Sequence, residues 1–106
     1  MKVTLAGRVV NVAAGDLVDI EIRRTVRVRL LECHVADPAT TPGIDARAKL
    51  IDITFGRPVE LDVELDDLDL LKRGWGSGRV RTLGPNGVDV AAVMVADGFA
   101  VARKGK

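Results

Sequence analysis

Apolar and polar residues alternate along most of the first third of the chain. Residues 3–12, rich in valine, predict a first strand. Leu17 to Ile22 predict a second, with Val18, Ile20 and Ile22 on one face and Leu17, Asp19 and Glu21 on the other. Ala13, Ala14, Gly15 and Asp16 form the turn signal between them. Arg23-Arg24 makes a short reversal without a glycine. A third strand follows, in which Val26, Val28 and Leu30 alternate with Arg27 and Arg29. It leaves through Cys33-His34 into a loop that carries Asp37 and Pro38. Pro42 then suits the first turn of a helix with Thr41 as its cap, and Ile44, Ala48, Ile51 and Phe55, with Leu50 close by, form an apolar stripe along it. Gly56 ends that helix.

The second half opens with the clearest strand, Val59, Leu61, Val63 and Leu65 alternating with Glu60, Asp62 and Glu64. The glycine-rich stretch DDLDLLKRGWGSG reads as a long loop. Arg79 to Leu83 predicts a further short strand, and Pro85-Asn86-Gly87 a tight turn. Asp89 caps a second helix, Val90 to Asp97, stopped by Gly98, and Phe99 to Ala102 adds an extended piece. The order is three strands, helix, strand, loop, strand, helix. It predicts an α+β fold, a small five-stranded OB-like Greek-key β-barrel with two helices, in one domain over residues 1–106.

A length of 106 residues bounds the chain to one core, and 47% hydrophobic content with 29% charged residues excludes wholesale disorder. The net charge of +1 gives no global bias toward nucleic acid or an anionic surface. Local charge is less even. Glu60, Asp62, Glu64, Asp66, Asp67 and Asp69 crowd one segment. Arg23, Arg24, Arg27 and Arg29 crowd another, and Lys72, Arg73, Arg79 and Arg81 a third. These are either solvated strand faces or, for the two basic groups, walls of one shared cleft. Arg103, Lys104 and Lys106 read as a solvated tail.

With Cys33 the only cysteine and His34 the only histidine, neither an internal disulfide nor a four-ligand zinc site can be built, and a reducing compartment fits. The chain has no apolar run of signal-peptide length and no segment that could span a bilayer, so the expectation is a cytoplasmic protein. A phage or mobile-element origin fits the same features.

Three pieces, in order and at matching spacing, resemble the staphylococcal nuclease-like (thermonuclease) family over most of the chain, from about Gly7 to Ala102. AAGDLVDI is similar to its D-G-D-T-V turn. VRVRLLECHVAD with TPGIDARAKL is similar to its R-L-x-x-I-D-A-P-E loop and following helix. PNGVDVAAVMVADGFAVA is similar to its closing D-G-x-x-V-N segment. The resemblance implies hydrolysis of DNA or RNA phosphodiesters with Ca²⁺ or another divalent ion. Asp16 then stands at a metal-ligand position, Asp37 at that of the carboxylate acting on the attacking water, and Arg29 at the first phosphate-binding arginine. Arg79 is the second arginine if Gly78-Arg79 is the family's Gly-Arg pair, with Arg73 as its rival.

Departures from the pattern are equally specific. His34 stands where the family has a second metal-ligand aspartate, Ala14 replaces the other aspartate of the turn, and Asp37 is a methylene shorter than the expected glutamate. With no tyrosine in the chain, the family's ring contacts to nucleotides are missing. Arg73 and Trp75 remain as nucleic-acid contacts, Trp75 by stacking on a base or else by anchoring its loop. The implied function is weak, metal-dependent hydrolysis of single-stranded nucleic acid. The alternative is an inactive module that binds nucleic acid or a protein partner, with a homo-oligomer among its assemblies.

Overall fold

The structure is a computed structural model that describes residues 1–83 and 87–102. The turn expected at Pro85-Asn86 and the tail of Arg103, Lys104 and Lys106 lie outside the described residues.

Among the described residues, seven strands and three helices follow in the order β1 (Lys2–Ala14), β2 (Leu17–Glu21), β3 (Thr25–Leu30), β4 (Cys33–His34), α1 (Thr41–Thr54), β5 (Pro58–Glu64), α2 (Leu70–Arg73), β6 (Trp75–Thr82), α3 (Val90–Ala96) and β7 (Val101–Ala102). Five of the strands close into a barrel in the order β1-β2-β3-β6-β5. Four of the five contacts between neighbouring strands are antiparallel. The fifth, β3 with β6, is parallel and brings strands from the two halves of the chain side by side. Closure is what removes exposed sheet edges in so small a fold. This is the OB-like α+β barrel that the strand order predicts.

The period-two pattern carries straight into burial. Val26, Val28 and Leu30 point into the barrel while Arg27 and Arg29 point out, and Val59, Leu61 and Val63 do the same against Glu60, Asp62 and Glu64. Val9, Val18, Ile20, Val26, Val28 and Leu61 are fully buried in the core. Full burial of one such side chain contributes about 1.5–3 kcal/mol. β1 runs two residues beyond the predicted strand at its C-terminal end and bends there through two register shifts against β2, between Val9 and Asn11 and between Val12 and Ala14.

Three expectations need correction. The loop expected over DDLDLLKRGWGSG is a 3₁₀ turn at Leu65–Asp67, then α2, then the first four residues of β6. The glycines that suggest a loop lie at inward positions of a strand that has no room for a side chain. A Cβ on Gly78 would come within 2.5 Å of Leu61 Cδ1, and one on Gly76 within 2.8 Å of Leu70 Cβ.

The apolar stripe on α1 is also displaced. Gly43, Ala46, Leu50 and Thr54 face the core, whereas Ile44 and Phe55 are more than half exposed. Close packing selects the small residues, Gly43 against the backbone at Asp37 and Ala46 against Gly15, and the buried Thr54 hydroxyl is satisfied by donating to Leu50 O at 2.7 Å. Finally, the cap of α1 is Thr40 rather than Thr41, its Oγ1 accepting from the Gly43 N–H at 3.2 Å. Asp89 caps α3 as expected, Oδ1 accepting from the Ala91 N–H at 3.0 Å.

Candidate nucleic-acid site at the barrel mouth

The register of β2 against β3 sets Leu17 opposite Arg29. Asp16, the residue before β2, therefore lands beside the Arg29 side chain, and Arg29 Nη1 donates to Asp16 Oδ2 at 3.0 Å. The Asp16 main chain is tied as well, its carbonyl accepting from the Leu30 N–H at 2.8 Å. The two partners differ in environment. Asp16 is 6% exposed and fixed in the barrel wall, whereas the Arg29 side chain is 60% exposed. A guanidinium has five N–H donors, and one nitrogen alone is used here, so most of the fork faces outward.

Beside this pair opens a cleft of about 530 Å³, lined by Asp16, Leu17, Arg29, His34, Val35 and Asp37 among others. The loop that carries Asp37 is built from its own turn. Asp37 Oδ1 accepts from the Ala39 N–H at 2.8 Å, and its carbonyl accepts from the Thr40 N–H at 2.9 Å and the Thr40 hydroxyl at 2.7 Å. The other carboxylate oxygen takes no hydrogen bond among the described residues. Gly43, in the first turn of α1, lies directly against this loop, and a Cβ there would collide with the Asp37 carbonyl oxygen. The start of α1 thus sets how deep Asp37 sits. His34, in β4, pairs with Val101 of β7 and is exposed on the cleft wall.

Arg79 lies elsewhere. Its Nη2 donates to Glu32 Oε1 at 2.7 Å and its Nη1 to Asp89 Oδ2, the second oxygen of the α3 cap. Glu32 occupies the left-handed region at φ 60°, a conformation uncommon for a residue with a side chain, in the turn between β3 and β4. The hydrogen bonds that Arg79 donates to Glu32 and then to Asp89 raise its pKa, holding its charge firmly. Arg79 borders a separate depression of about 320 Å³ with Lys2, Glu32, Asp62, Glu64 and Ser77. Cys33, 5% exposed, packs as an apolar residue; burial, then the carboxylates of Asp16 and Asp89, push its thiol from 9.0 to about 11.

Arg73 and Trp75 form a third group, at the start of β6. The Arg73 guanidinium lies 4.6 Å from the centre of the Trp75 ring, and its Nε donates to Trp75 O at 3.1 Å. Of the residues singled out in the sequence, Asp16, Arg29 and Asp37 line one cleft together with His34. Arg79, Arg73 and Trp75 do not line it. The two basic segments do meet, on adjacent strands, although they divide between these places rather than walling one cleft.

Sequence reasoning missed Glu32 and Asp89 as the partners of Arg79. The capping role of Asp89 was legible, but nothing local signals that its second oxygen turns to a neighbouring strand.

Calcium takes six to eight oxygen ligands. The cleft offers the Asp16 carboxylate, already engaged by Arg29, the half-engaged Asp37 carboxylate, and an imidazole nitrogen from His34. Among the described residues no three His, Cys, Asp or Glu side chains converge as a metal site. These side chains alone supply fewer free oxygens than calcium takes.

No model of a known protein family matches the chain. It is 32% identical over 99 residues to a micrococcal nuclease of Shigella flexneri, an alignment that covers 89% of this chain and 56% of that protein. The chain thus spans about half the length of the curated relative it matches. No described helix is long and apolar enough to cross a membrane. The similarity and the closed five-stranded barrel together support a divergent staphylococcal nuclease-like relationship.

Proposed function

We propose that this domain is a nuclease-like module that holds a phosphodiester of single-stranded DNA or RNA at Arg29. One observation carries the reading: a guanidinium anchored from below by the buried Asp16, with most of its donors turned toward an open cleft. Planar, forked donors suit phosphate oxygens, and charge-assisted bonds of this kind are the strong ones. Arg79 would have to release Glu32 or Asp89 to reach the same phosphate, so Arg29 is the first ligand and Arg79 or Arg73 the second.

A second reading, hydrolysis of the bound diester, is favoured by Asp37, which lines the same cleft with one oxygen unoccupied. That oxygen would take the proton of a water whose oxygen attacks phosphorus, while the leaving oxygen picks up a proton from solvent. Arg29 would stabilise the charge that builds on the phosphoryl oxygens. Calcium or another divalent ion belongs to this reading as the cofactor that the family resemblance implies, and no step here depends on it.

The test has two arms. Binding of a labelled single-stranded oligonucleotide in EDTA is expected to weaken about tenfold or more in Arg29→Ala. Unchanged affinity would remove Arg29 from the proposal. Cleavage is followed in Ca²⁺, Mg²⁺ and Mn²⁺ with Asp37→Ala and Arg29→Ala as controls, and cleavage that survives both substitutions sinks the hydrolytic reading.

A further inference from the structure

The β2–β3 turn and the end of α2 come together around Trp75. Arg24 Nη1 donates to Lys72 O at 3.5 Å, and Arg24 Nη2 lies 3.8 Å from where a Gly74 side chain would begin. Gly74, at φ 87°, ends α2 and turns the chain directly into β6, and its carbonyl accepts from the Arg27 N–H at 2.8 Å. Trp75 then stands opposite Arg27 across the parallel β3–β6 ladder. Arg23, Arg24, Lys72 and Arg73 are all exposed, and none forms an ion pair with a carboxylate among the described residues. Arg27 is neutralised by Asp19 at 2.9 Å, and Asp69 starts the turn that Arg73 ends, so the free positive charge is local.

Beside Arg73, and one residue on from Gly74, which Arg24 approaches, an indole is 61% exposed. Leaving so large an aromatic in water forgoes the gain of burying it. Arg73 covers the ring and holds it through the Trp75 carbonyl, leaving the rest of its surface open. A fixed aromatic face with exposed cations on the segments beside it matches single-stranded nucleic acid, in which every base has a π-face and every linkage a negative charge.

We propose that Trp75, with Arg23, Arg24, Lys72 and Arg73, forms a second binding site for single-stranded nucleic acid, stacking one base and neutralising the flanking phosphates. The proposal rests on the module being a nucleic-acid binder and not on the Arg29 cleft or on any cleavage. The two sites are neighbours. Trp75 is level with Arg27 and Ser77 with Arg29, two residues or roughly 7 Å further along the strand. A strand held at Arg29 runs past Trp75 when it follows β3 toward its start.

Trp75 is the only tryptophan and the chain has no tyrosine, so intrinsic fluorescence reports on this ring alone. Titration of the full chain in EDTA with a short single-stranded oligonucleotide is expected to quench that emission. Affinity is expected to fall with added salt, with a log–log slope of about −2 to −3 for three to four neutralised phosphates. Arg24→Ala and Lys72→Ala each reduce that slope by close to one charge. Trp75→Ala, followed by the anisotropy of a labelled oligonucleotide, loses about tenfold or more in affinity, and Trp75→Phe recovers part of it. Arg29→Ala weakens binding but leaves the quenching amplitude at saturation unchanged, which separates this site from the cleft. Binding without quenching, or Trp75→Ala indistinguishable from the parent, overturns the proposal. Equal quenching by polyglutamate overturns it too, in favour of an acidic protein partner.

Discussion

Arg29 and Asp16 form a pair of unequal members, a carboxylate sealed in the barrel wall and a guanidinium that reaches from it into solvent. Such a pair responds asymmetrically to mutation. Arg29→Ala leaves a buried carboxylate unpartnered, at a cost of about 1–3 kcal/mol. Asp16→Ala frees an arginine that water already solvates. Adding Asp16→Ala to Arg29→Ala is therefore expected to recover stability, measured by urea unfolding at neutral pH. A double variant weaker than Arg29→Ala by the full effect of Asp16→Ala would show that the two residues are independent.

Acid should act first on the outer face of the barrel. Asp62 is held below the usual carboxylate value of 3.8 mainly by hydrogen bonds from Arg81, with Thr4 helping and burial opposing, and Asp19 is held below it mainly by Arg27. A depressed folded pKa stabilises the fold above the unfolded value, and that stability is lost as pH falls through the folded value. The thermal midpoint is expected to drop as pH falls below 3.8. Asp62→Asn flattens that drop by removing one of the titrating groups, and an unchanged profile would contradict the assignment.

At the alkaline end the sign reverses. The Cys33 thiol is raised from 9.0 to about 11 in the fold, so the folded state keeps a proton that the unfolded chain gives up. Stability from this group is complete below pH 9.0 and is lost progressively as pH rises toward about 11. Alkylation of Cys33 at pH 8 should be slow in the native protein and fast in denaturant. Equal rates would mean that the thiol is not buried.

Gly43 offers a test of the cleft that leaves every polar group in place. Gly43→Ala pushes a methyl into the Asp37 carbonyl, so either α1 withdraws or the Asp37 turn moves. A loss of about 1–3 kcal/mol is expected, as for overpacked positions generally. Any cleavage activity should fall further than Asp37→Asn alone can explain through charge. A stable variant with unaltered binding and cleavage would show that the turn has room to yield.

His34→Asp adds a third carboxylate to the cleft of Asp16 and Asp37, and a larger calcium-dependent rise in the unfolding midpoint than in the parent chain is expected. A comparable rise in the parent chain would show that Asp16, Asp37 and backbone oxygens make the site without it.

The barrel was legible because β-structure writes itself in period two. Val26, Val28 and Leu30 against Arg27 and Arg29 state both the strand and its inward face. Gly76 and Gly78 hid the first half of β6, since inward positions that admit no side chain leave no alternation to detect. The face of α1 was misread because Ile44 and Phe55 are the larger apolar residues, while the Asp37 turn leaves no room beyond Gly43 and Gly15 packs directly on Ala46. At the cleft, matching motif order brought Asp16, Arg29 and Asp37 to one place. The hold on Arg79 was invisible, since Glu32 stands 47 residues away in sequence and only the parallel β3–β6 contact brings it near.

Among the described residues, Cys33 and His34 pair with Val101 and Ala102 in a ladder of two rungs, outside the closed barrel. A ladder so short has few bonds to lose and opens far more often than the barrel beside it. Amide deuterium exchange at Cys33 and His34 should therefore keep pace with Val101 and Ala102, and run ahead of Val28 in the barrel. Faster exchange there would mean that one wall of the cleft opens independently of the barrel, held by the grip of the last described strand.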